Sequence, residues 1–488
     1  MKLSKTLPSI IAIVLFASAW PVSAQVDLTQ IAWVGDSEGM GFSSGCLSNR
    51  VQVDSPGAVI ARASGVDYEQ PLISDPGLGG CLVLTSLAPS FTQAPSTGQP
   101  TNLNLPRPYN NLSVGGCAIH DMLTATTGAE ASAGTCRQLI DLVLRNSALH
   151  IGSAVQQAIA LSPTFVFLED VGNDYLGAVL TGTVIDGVTV TPVANVQADF
   201  NSALTMLKAA QPNGVVFGIV DVTNIPFTTT LPPFLTSGGQ LVLTPSGQPI
   251  SLLGPRCPTG VVACPIPSDT LVTLNAAAYL ASGFGIPCAV APSLPNCNLP
   301  LPDQMDPAGN PGVLLFADQV AFLKQRGADY NTAIQAAAAA SGYKYYDTNA
   351  FLTKLKAGVT VGGLTVNAAF LSGGAFSYDG FHLTPIGYAL LADDMIRFVN
   401  AQFSAQLPEP DLYPYIFNGG TLGGLAGTSA SYVLLNGSET ERAIQEIFTP
   451  EFARHLASLI APHSPVLVLG SSGPVEKGHR SQPGPEGP

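Results

Sequence analysis

Ser37 is the first residue whose sequence surroundings suit nucleophilic chemistry. Residues 31–40 read IAWVGDSEGM, so an apolar run ends at Val34 and is followed by a glycine, an aspartate and the serine. A serine at a strand-to-helix turn can place its own N–H, and the positive end of a helix dipole, beside an anion. An ordinary turn without a catalytic role can have a similar sequence. Ser37 is therefore a candidate nucleophile only if a base and further hydrogen-bond donors are found elsewhere.

The chain contains six histidines that could supply the base. Four are poor candidates, three in the C-terminal tail and one within a helical pattern: His455, His463, His479 and His150. His120 has only the adjacent Asp121 to orient its ring. His382 ends the stretch SYDGFH (377–382), in which Asp379 stands three residues earlier and a glycine permits a sharp bend. One loop can thus present an imidazole and the carboxylate that orients it, so we expect His382 to be the base.

These side chains need elements to bring them together, and the apolar pattern predicts a parallel sheet. Short apolar runs alternate with helical patterns, which is typical of strands joined by helical crossovers. The predicted strands are 30–34, 111–114, 164–168, 214–222 and 343–347, and the predicted helices include 136–161, 193–210, 314–324 and 330–341. We therefore expect an α/β fold, a doubly wound three-layer sandwich around a central parallel sheet.

Three loops then deliver polar groups to one edge of this sheet. Ser37 follows the first predicted strand, Gly116 the second and Asn173 the third. Ligands of doubly wound sheets bind beyond the carboxyl ends of the strands. Gly116 offers an N–H with no side chain in the way, and Asn173 offers a side-chain amide. Each such donor to a tetrahedral intermediate is worth about 10²–10³ in rate, so the chemistry that fits is acyl transfer through a serine.

Four short blocks, in this order along the chain, resemble the SGNH, or GDSL, hydrolase family. They are Gly35-Asp36-Ser37, the stretch NLSVGG (111–116), Gly172-Asn173-Asp174 and the stretch DGFH (379–382). The resemblance implies a flavodoxin-like sheet and the hydrolysis of carboxylic esters through a covalent acyl-enzyme, with no cofactor and no metal. It also implies the roles of individual residues. Ser37 would be the nucleophile, His382 the base and Asp379 its partner, and the oxyanion hole would comprise Ser37, Gly116 and Asn173.

Two positions depart from the family pattern. Glu38 stands where the family usually carries an apolar residue, so a carboxylate beside the nucleophile would disfavour anionic substrates. Gly115 and Cys117 replace the more familiar proline and alanine around Gly116. This second departure leaves open which of the two glycines supplies the N–H.

The sequence divides into four parts. Residues 1–24 resemble a secretory signal peptide, with two lysines, an apolar stretch and a small-residue cleavage pattern ending at Ala24. The hydrolase-like domain spans 25–405 and carries an insertion at about 226–311, which holds 16 of the 40 prolines and four cysteines. We expect this insertion to be either a lid over the site or a surface decoration. An extension of unassigned role covers 406–488; a helix is predicted at 449–460, and the last 18 residues are expected to be disordered.

Composition narrows the classes of function. With 46% hydrophobic residues in 488 positions the chain can bury a large core. Its formal net charge of −14 argues against binding a nucleic-acid backbone. No segment after the leader is long and apolar enough to span a membrane. We therefore expect an exported protein, secreted or periplasmic, that acts on a small-molecule or lipid ester; its oligomeric state is left open.

The eight cysteines agree with export, because an even number in an oxidising compartment predicts up to four disulfides. Proximity along the chain suggests Cys257 with Cys264 and Cys288 with Cys297, and Cys117 with Cys136 would stiffen the loop after Gly116. Zinc is the less favoured use of these cysteines, since no C-x-x-C pair occurs.

Two other functions remain open. Gly35, Ser37 and Gly39 also match the G-x-S-x-G elbow of α/β-hydrolases, although only about ten residues separate this elbow from the predicted mature start. The second possibility is a secreted binding protein that kept the fold without the activity. Within the esterase interpretation the four blocks do not distinguish lipid, short-chain and sugar esters.

Overall fold

The computed structural model describes residues 26–86, 90–170, 172–210, 213–417 and 437–460. The predicted signal peptide and the last 18 residues lie outside these ranges. At the centre is a four-stranded parallel sheet. Its strands are β1 (Ile31–Val34), β2 (Phe165–Leu168), β3 (Gly214–Phe217) and β4 (Lys344–Tyr346). They lie side by side in the order β1-β2-β3-β4. Every residue of the first three strands is buried, as expected of a parallel sheet covered on both faces.

The segment predicted as a second strand, 111–114, runs beside the free edge of β1 but forms only one isolated bridge, between Asn111 and Trp33. Backbone hydrogen bonds continue this pairing: Leu112 N–H donates to the Trp33 carbonyl at 2.8 Å, and Val114 N–H to the Gly35 carbonyl at 2.9 Å. The chain therefore enters the two following glycines directly beside the end of β1.

Helices surround the sheet in two groups. In the described part of the chain they are α1 (Ser37–Met40), α2 (Asn49–Gln52), α3 (Pro56–Ser64), α4 (Ile119–Thr124), α5 (Thr135–Leu144), α6 (Asn146–Leu149), α7 (Ala154–Ala160), α8 (Asn173–Thr181), α9 (Val193–Ala210), α10 (Pro226–Thr229), α11 (Ala276–Ala281), α12 (Ala317–Ser341), α13 (Thr348–Ala357), α14 (Pro385–Phe403), α15 (Tyr413–Phe417), α16 (Gly437–Ile447) and α17 (Pro450–Leu459). Helices α4, α7, α9 and α12 pack together, while α14 packs against α3 and α15. The fold is thus mixed α/β with a central parallel sheet, compatible with a three-layer arrangement.

Several predicted boundaries change in the structure. The single helix expected at 136–161 is broken into α5, α6 and α7, because Arg145 and His150 adopt positive φ angles of 49° and 53°. The two helices expected between 314 and 341 are one continuous helix, α12. The strand expected at 214–222 ends at Phe217. Beyond it the Ile219 N–H donates to the Asn331 side chain at 2.7 Å instead of to a neighbouring strand. The helix expected at 193–210 is confirmed as α9.

Short antiparallel pairs of strands decorate the loops. They join Phe42–Ser43 with Cys46–Leu47, Leu82–Ser86 with Ser90–Gln93, Thr236–Ser237 with Gln240–Leu241, Leu253–Gly254 with Cys264–Pro265, Leu271–Val272 with Leu314–Leu315, and Val359–Val361 with Leu364–Val366. Four disulfides staple the chain, Cys46–Cys81, Cys117–Cys136, Cys257–Cys264 and Cys288–Cys297. The three pairings expected from the sequence are present, and the set fits a secreted, disulfide-bonded protein. None of the helices in the described ranges combines the length and apolar character that crossing a bilayer requires.

The insertion and the C-terminal extension pack differently. The insertion builds a small core of its own, to which Leu252, Ile266 and Leu301 contribute, and it carries two of the disulfides. The extension instead adds buried side chains to the main core around the sheet, among them Phe452 of α17 and Phe448, which lies between α16 and α17. The helix expected at 449–460 is present as α17, with Thr449 as its N-cap.

Candidate active site

The acid–base pair predicted in the 379–382 loop is formed and buried. His382 Nδ1 lies 2.9 Å from Asp379 Oδ2, and neither side chain is more than 3% exposed. The same carboxylate folds the loop, because its Oδ1 accepts the N–H groups of Phe381 at 3.1 Å and His382 at 2.9 Å. Gly380 has a φ of 82°, a left-handed conformation that favours glycine. The sharp bend predicted at this glycine is therefore real.

The helix α14 begins directly after this loop. Thr384 is the N-cap of α14 and its hydroxyl accepts the Gly387 N–H at 3.2 Å, while Pro385 is the first helical residue. A proline at this position loses no intrahelical hydrogen bond and has a pre-set φ. Much of α14 is buried, so it anchors the loop that carries the pair.

Two groups from outside the loop also hold Asp379. The Ser377 hydroxyl donates to Oδ1 at 3.0 Å, and the Gly45 N–H donates to Oδ2 at 2.7 Å. Ser377 is itself fixed by the Ser44 N–H at 2.8 Å. Sequence reasoning missed both donors. Ser377 could have been found from its place two residues before Asp379, whereas Gly45 is 334 residues away and gives no signal in the sequence.

Electrostatics favour the ion pair. Burial acts to raise the pKa of Asp379, but the charge of His382 and the donated hydrogen bonds outweigh it and hold this pKa below its usual value. Burial acts to lower the pKa of His382, but the Asp379 charge and hydrogen bond hold it above 6.5, helped by Glu38 and Asp36. The imidazole is thus oriented and made more basic, which is what a general base needs.

The Ser37 turn is held by close packing. Asp36 caps α1 by accepting the Glu38 N–H at 3.0 Å, and Ser37 is the first residue of that helix. A Cβ at Gly35 or at Gly39 would lie 2.3 Å from Glu169 Oε2, a contact that real side chains do not make. Both glycines are therefore required by packing, and Gly39 is not evidence for an α/β-hydrolase elbow.

The imidazole of His382 faces the turn that carries Ser37, as the effects of its neighbours show. Among the described residues Ser37 Oγ makes no hydrogen bond with the imidazole. The charges of its two neighbours, Asp36 and Glu38, nevertheless both act on the pKa of His382. The His382 ring centroid is 5.5 Å from that of Phe42, which follows shortly after the turn. The structure thus brings the imidazole to the turn that carries Ser37, without a hydrogen bond between the serine hydroxyl and the ring.

Asn173 contacts the residue that follows Gly116. Asn173 Nδ2 donates to the carbonyl of Cys117 at 2.8 Å, which leaves its second amide hydrogen free for another acceptor. Within the described part of the chain the N–H groups of Ser37 and Gly116 donate to no acceptor. Buried backbone N–H groups are rarely left unpaired. Two of them at one site suggest a place that receives an anion.

The two glycines differ in what requires them. Gly116 has a φ of 77°, in the left-handed region that favours glycine. Gly115 lacks a positive φ, but a Cβ there would lie 2.5 Å from the ring of Phe42. Glycine at 115 is thus required by packing and glycine at 116 by conformation. The disulfide between Cys117 and Cys136 adjoins this loop and fixes it.

Glu38 does not place a full negative charge beside the nucleophile. Burial raises its pKa to about 8, even though the charge of His382 acts to lower it. Among the described residues its Oε2 has no hydrogen-bond partner, and Tyr388 lies next to the carboxyl group. The Tyr388 hydroxyl donates to the Phe42 carbonyl at 2.5 Å. The raised pKa favours the protonated form near neutral pH, and the carboxylate expected from the sequence forms increasingly as the pH rises.

The remaining histidines do not join the pair. His120 is exposed and lies 3.2 Å from Asp199, and His150 ends α6. His455 in α17 hydrogen bonds through Nε2 to the Gly45 carbonyl at 2.9 Å, a contact that the sequence did not predict. His463 and His479 lie outside the described residues.

One cluster of metal-ligand types occurs in the described ranges, Cys117, Asp121 and Cys136. Its two sulfurs are joined in a disulfide. The Asp121 carboxylate accepts the N–H groups of Ala118 at 3.1 Å and Ser132 at 2.8 Å. These three residues are therefore structural and do not suit a metal ion.

Comparison with protein-family models and with curated proteins identifies no relative of this chain. No protein-family model matches the sequence, and no curated protein is significantly similar to it. The function is therefore inferred from the residues and their geometry.

Proposed function

We propose that this chain is an exported serine esterase of the SGNH hydrolase fold, which hydrolyses carboxylic esters through an acyl-enzyme on Ser37. The observation that carries the proposal is the buried pair of His382 and Asp379, 2.9 Å apart, beside the turn that presents Ser37. A buried imidazole with an ionised carboxylate on one nitrogen is arranged as a general base for a nearby hydroxyl.

The fold supports the same proposal. If 111–114 is taken as the second strand, the order along the sheet becomes 2-1-3-4-5, which is the flavodoxin-like order. Ligands of such sheets bind at the edge where the strand order reverses. Ser37, Gly116 and Asn173 all follow strands at that reversal, and each is buried there.

The reaction has two halves. Ser37 Oγ attacks the ester carbonyl carbon while His382 Nε2 takes the hydroxyl proton, and Asp379 stabilises the resulting imidazolium. The tetrahedral intermediate collapses, the bond to the alcohol oxygen breaks, and His382 returns the proton to the leaving alcohol. A water molecule then attacks the acyl-enzyme in the same way. This second half releases the carboxylic acid and restores Ser37.

The oxyanion is stabilised by groups that are already in place. The unpaired N–H groups of Ser37 and Gly116 and the free amide hydrogen of Asn173 supply three donors. Because these donors are buried and fixed before the reaction, they lose little energy in reorganising as charge develops.

A serine-directed probe tests the proposal. A fluorophosphonate should label the folded wild type, and mass spectrometry should find the adduct on Ser37. Labelling should be absent in Ser37→Ala and reduced by at least about 10²-fold in His382→Ala. Absence of Ser37 labelling in every folded form of the protein, the wild type and the variants described below, would overturn the esterase proposal in favour of an inactive binding protein.

The structure also has an apolar cavity of about 560 Å³ between the insertion and α16, lined by residues that include Leu231, Phe234, Leu252, Leu280 and Ile444. None of the residues that line it is a proposed catalytic group, so the cavity does not identify the acyl chain. Values of kcat/KM on 4-nitrophenyl esters from acetate to palmitate would measure the preferred chain length.

A further inference from the structure

The groups proposed for catalysis are closed off from solvent. Ser37 is 8% exposed, His382 and Asn173 are 3% exposed, and Asp379 is fully buried. Reaction requires an ester carbonyl carbon to approach Ser37 Oγ to about 3–3.5 Å. The small exposed surface of the serine leaves little space for that approach, so part of the protein has to move before a substrate reaches it.

The described C-terminal segment, residues 437–460, is the part best placed to move. We call it the C-terminal cover; it comprises α16 and α17. Its apolar face is buried against the main core through Ile444, Ile447, Phe448, Phe452, Leu456 and Leu459. All eight cysteines lie outside the cover, so no disulfide fastens it.

The cover touches the loops that carry the oxyanion donors. A Cβ at Gly116 would lie 2.8 Å from the Leu459 carbonyl oxygen, so the backbone of the cover lies directly against the proposed donor. Ile460 pairs with Gly134 in an antiparallel bridge. It also lies 3.3 Å from where a Cβ of Gly177 would be, on the helix that Asn173 begins.

The cover also touches the supports of the acid–base pair. Phe452 lies 2.8 Å from where a Cβ of Gly45 would be, and His455 hydrogen bonds to the Gly45 carbonyl at 2.9 Å. The N–H of this same Gly45 holds Asp379. Phe448 packs at 6.2 Å on Phe227, whose ring in turn meets Phe381, the neighbour of His382, at 5.9 Å. Contacts of the cover therefore converge on both halves of the site.

We propose that the C-terminal cover is an intramolecular inhibitor, which must leave the loops at Gly45, Gly116 and Gly134 before an ester reaches Ser37. This inference rests on the proposed esterase function and adds a regulated access step to it. The cover is held mainly by apolar packing, with a few polar contacts such as Arg454 to Asn310 at 2.9 Å. Proteolysis between α15 and α16, or competition for the apolar face, would open the site.

A charge on the apolar face of the cover tests the proposal in the full-length chain. Leu456 is fully buried on α17, so Leu456→Glu forces a carboxylate into the interface and should displace the cover. Ser458→Glu places the same charge on the exposed side of the same helix and is the matched control. Fluorophosphonate labelling of Ser37 should be at least about tenfold faster in Leu456→Glu, and unchanged in Ser458→Glu.

A second form of the protein guards against misfolding of the variant. A specific protease site placed within 418–436 of the full chain allows the cover to be cut free after folding. Labelling should rise on cleavage to the rate seen in Leu456→Glu. Labelling that is unchanged by cleavage and by Leu456→Glu, in proteins shown to be folded, would overturn the proposal. A lower rate after cleavage would also overturn it, because the segment would then complete the site instead of closing it.

Hydrogen–deuterium exchange separates this inference from the esterase proposal. Departure of the cover should speed exchange of the backbone amides at 44–46 and 116–118, whatever the activity. Faster exchange without Ser37 labelling in the wild type, in Leu456→Glu or in the cleaved protein would overturn the esterase proposal. It would leave the docking of the cover established. Faster exchange with unchanged labelling would instead sink the inhibitory role of the cover.

Discussion

The acid–base half of the candidate site is held by hydrogen bonds, whereas the nucleophile half is held by close packing. Asp379 accepts hydrogen bonds from Ser377, Gly45 and the backbone of its own loop, so each of its oxygens has a fixed partner. Around Ser37, glycines at 35 and 39 pack against Glu169 with no room for a Cβ. Within the part of the chain that the structure describes, the serine hydroxyl is not bonded to His382 and the N–H groups of Ser37 and Gly116 donate to no acceptor.

This difference assigns separate tasks to the two halves. A carboxylate and an imidazole must keep one mutual orientation throughout the reaction, so fixed hydrogen bonds suit them. On the proposed function, a nucleophile and oxyanion donors have to engage a substrate, so they need polar atoms that the protein itself does not occupy. Variants on the two sides should consequently fail in different ways.

The largest effect is expected from Asp379→Asn. The amide keeps the shape of the carboxylate but cannot stabilise an imidazolium, so kcat should fall by about 10³–10⁴-fold. Steady-state kinetics on a 4-nitrophenyl ester measures this, and thermal unfolding checks that the fold is kept. More than a tenth of wild-type kcat in a folded Asp379→Asn protein would refute the role of the pair.

Asn173→Ala should cost about 10²–10³-fold in kcat with little change in KM, because an oxyanion donor acts mainly on the transition state. His120→Ala, on the exposed face of α4, is the control and should keep wild-type kinetics. An increase in KM alone would show that Asn173 holds the Cys117 loop and gives nothing to the oxyanion.

Ser377→Ala should lower kcat by about 2–10-fold, the range expected from one hydrogen bond to a positioned group. With one donor fewer, the Asp379 charge acts more strongly on His382. The pKa of His382 should rise, and the acid limb of the kcat/KM profile should move to higher pH. Ser377→Thr keeps the hydroxyl and should restore the wild-type profile. An unshifted limb in Ser377→Ala would mean that Gly45 and the loop backbone position Asp379 without help.

The smallest effect is expected from Glu38→Gln. It should move the acid limb of the kcat/KM profile in the direction opposite to Ser377→Ala. Activity requires neutral His382, whose raised pKa places the acid limb above pH 6.5. Removing a nearby group that becomes anionic lowers that pKa, so the limb should move to lower pH. Because the pKa of Glu38 is itself about 8, the group is only partly ionised there, and the shift should be less than about one pH unit. A limb that moves upward would contradict the coupling.

Much of the site could be predicted because its signals are local. Asp379 and His382 are three residues apart. The helix that anchors them is indicated by an N-cap residue, Thr384, followed by Pro385. The buried strands and α9 follow from apolar periodicity over short windows. The disulfide pairing of Cys257 with Cys264 and of Cys288 with Cys297 is also local, with separations of 7 and 9 residues.

Other features could not be predicted, because they depend on residues far apart in the chain. The break of the helix expected at 136–161 depends on two residues, Arg145 and His150, in a conformation that nothing in their type demands. The sequence predicted a carboxylate at position 38, but its ionisation depends on burial. The docking of α17 on Gly45 and Gly116 joins residues more than 300 positions apart.

The sequence by itself determined the residue types that the chemistry would need, the order of the elements and the parallel sheet. Each of these follows from the spacing of residues and the apolar pattern along the chain. Tertiary structure decided which donors hold Asp379, why glycine is required at 115 and 116, and how deeply Ser37 is buried. The physical reason is that hydrogen bonds, close contacts and pKa shifts depend on distances in space. Folding sets those distances between segments that the sequence keeps far apart.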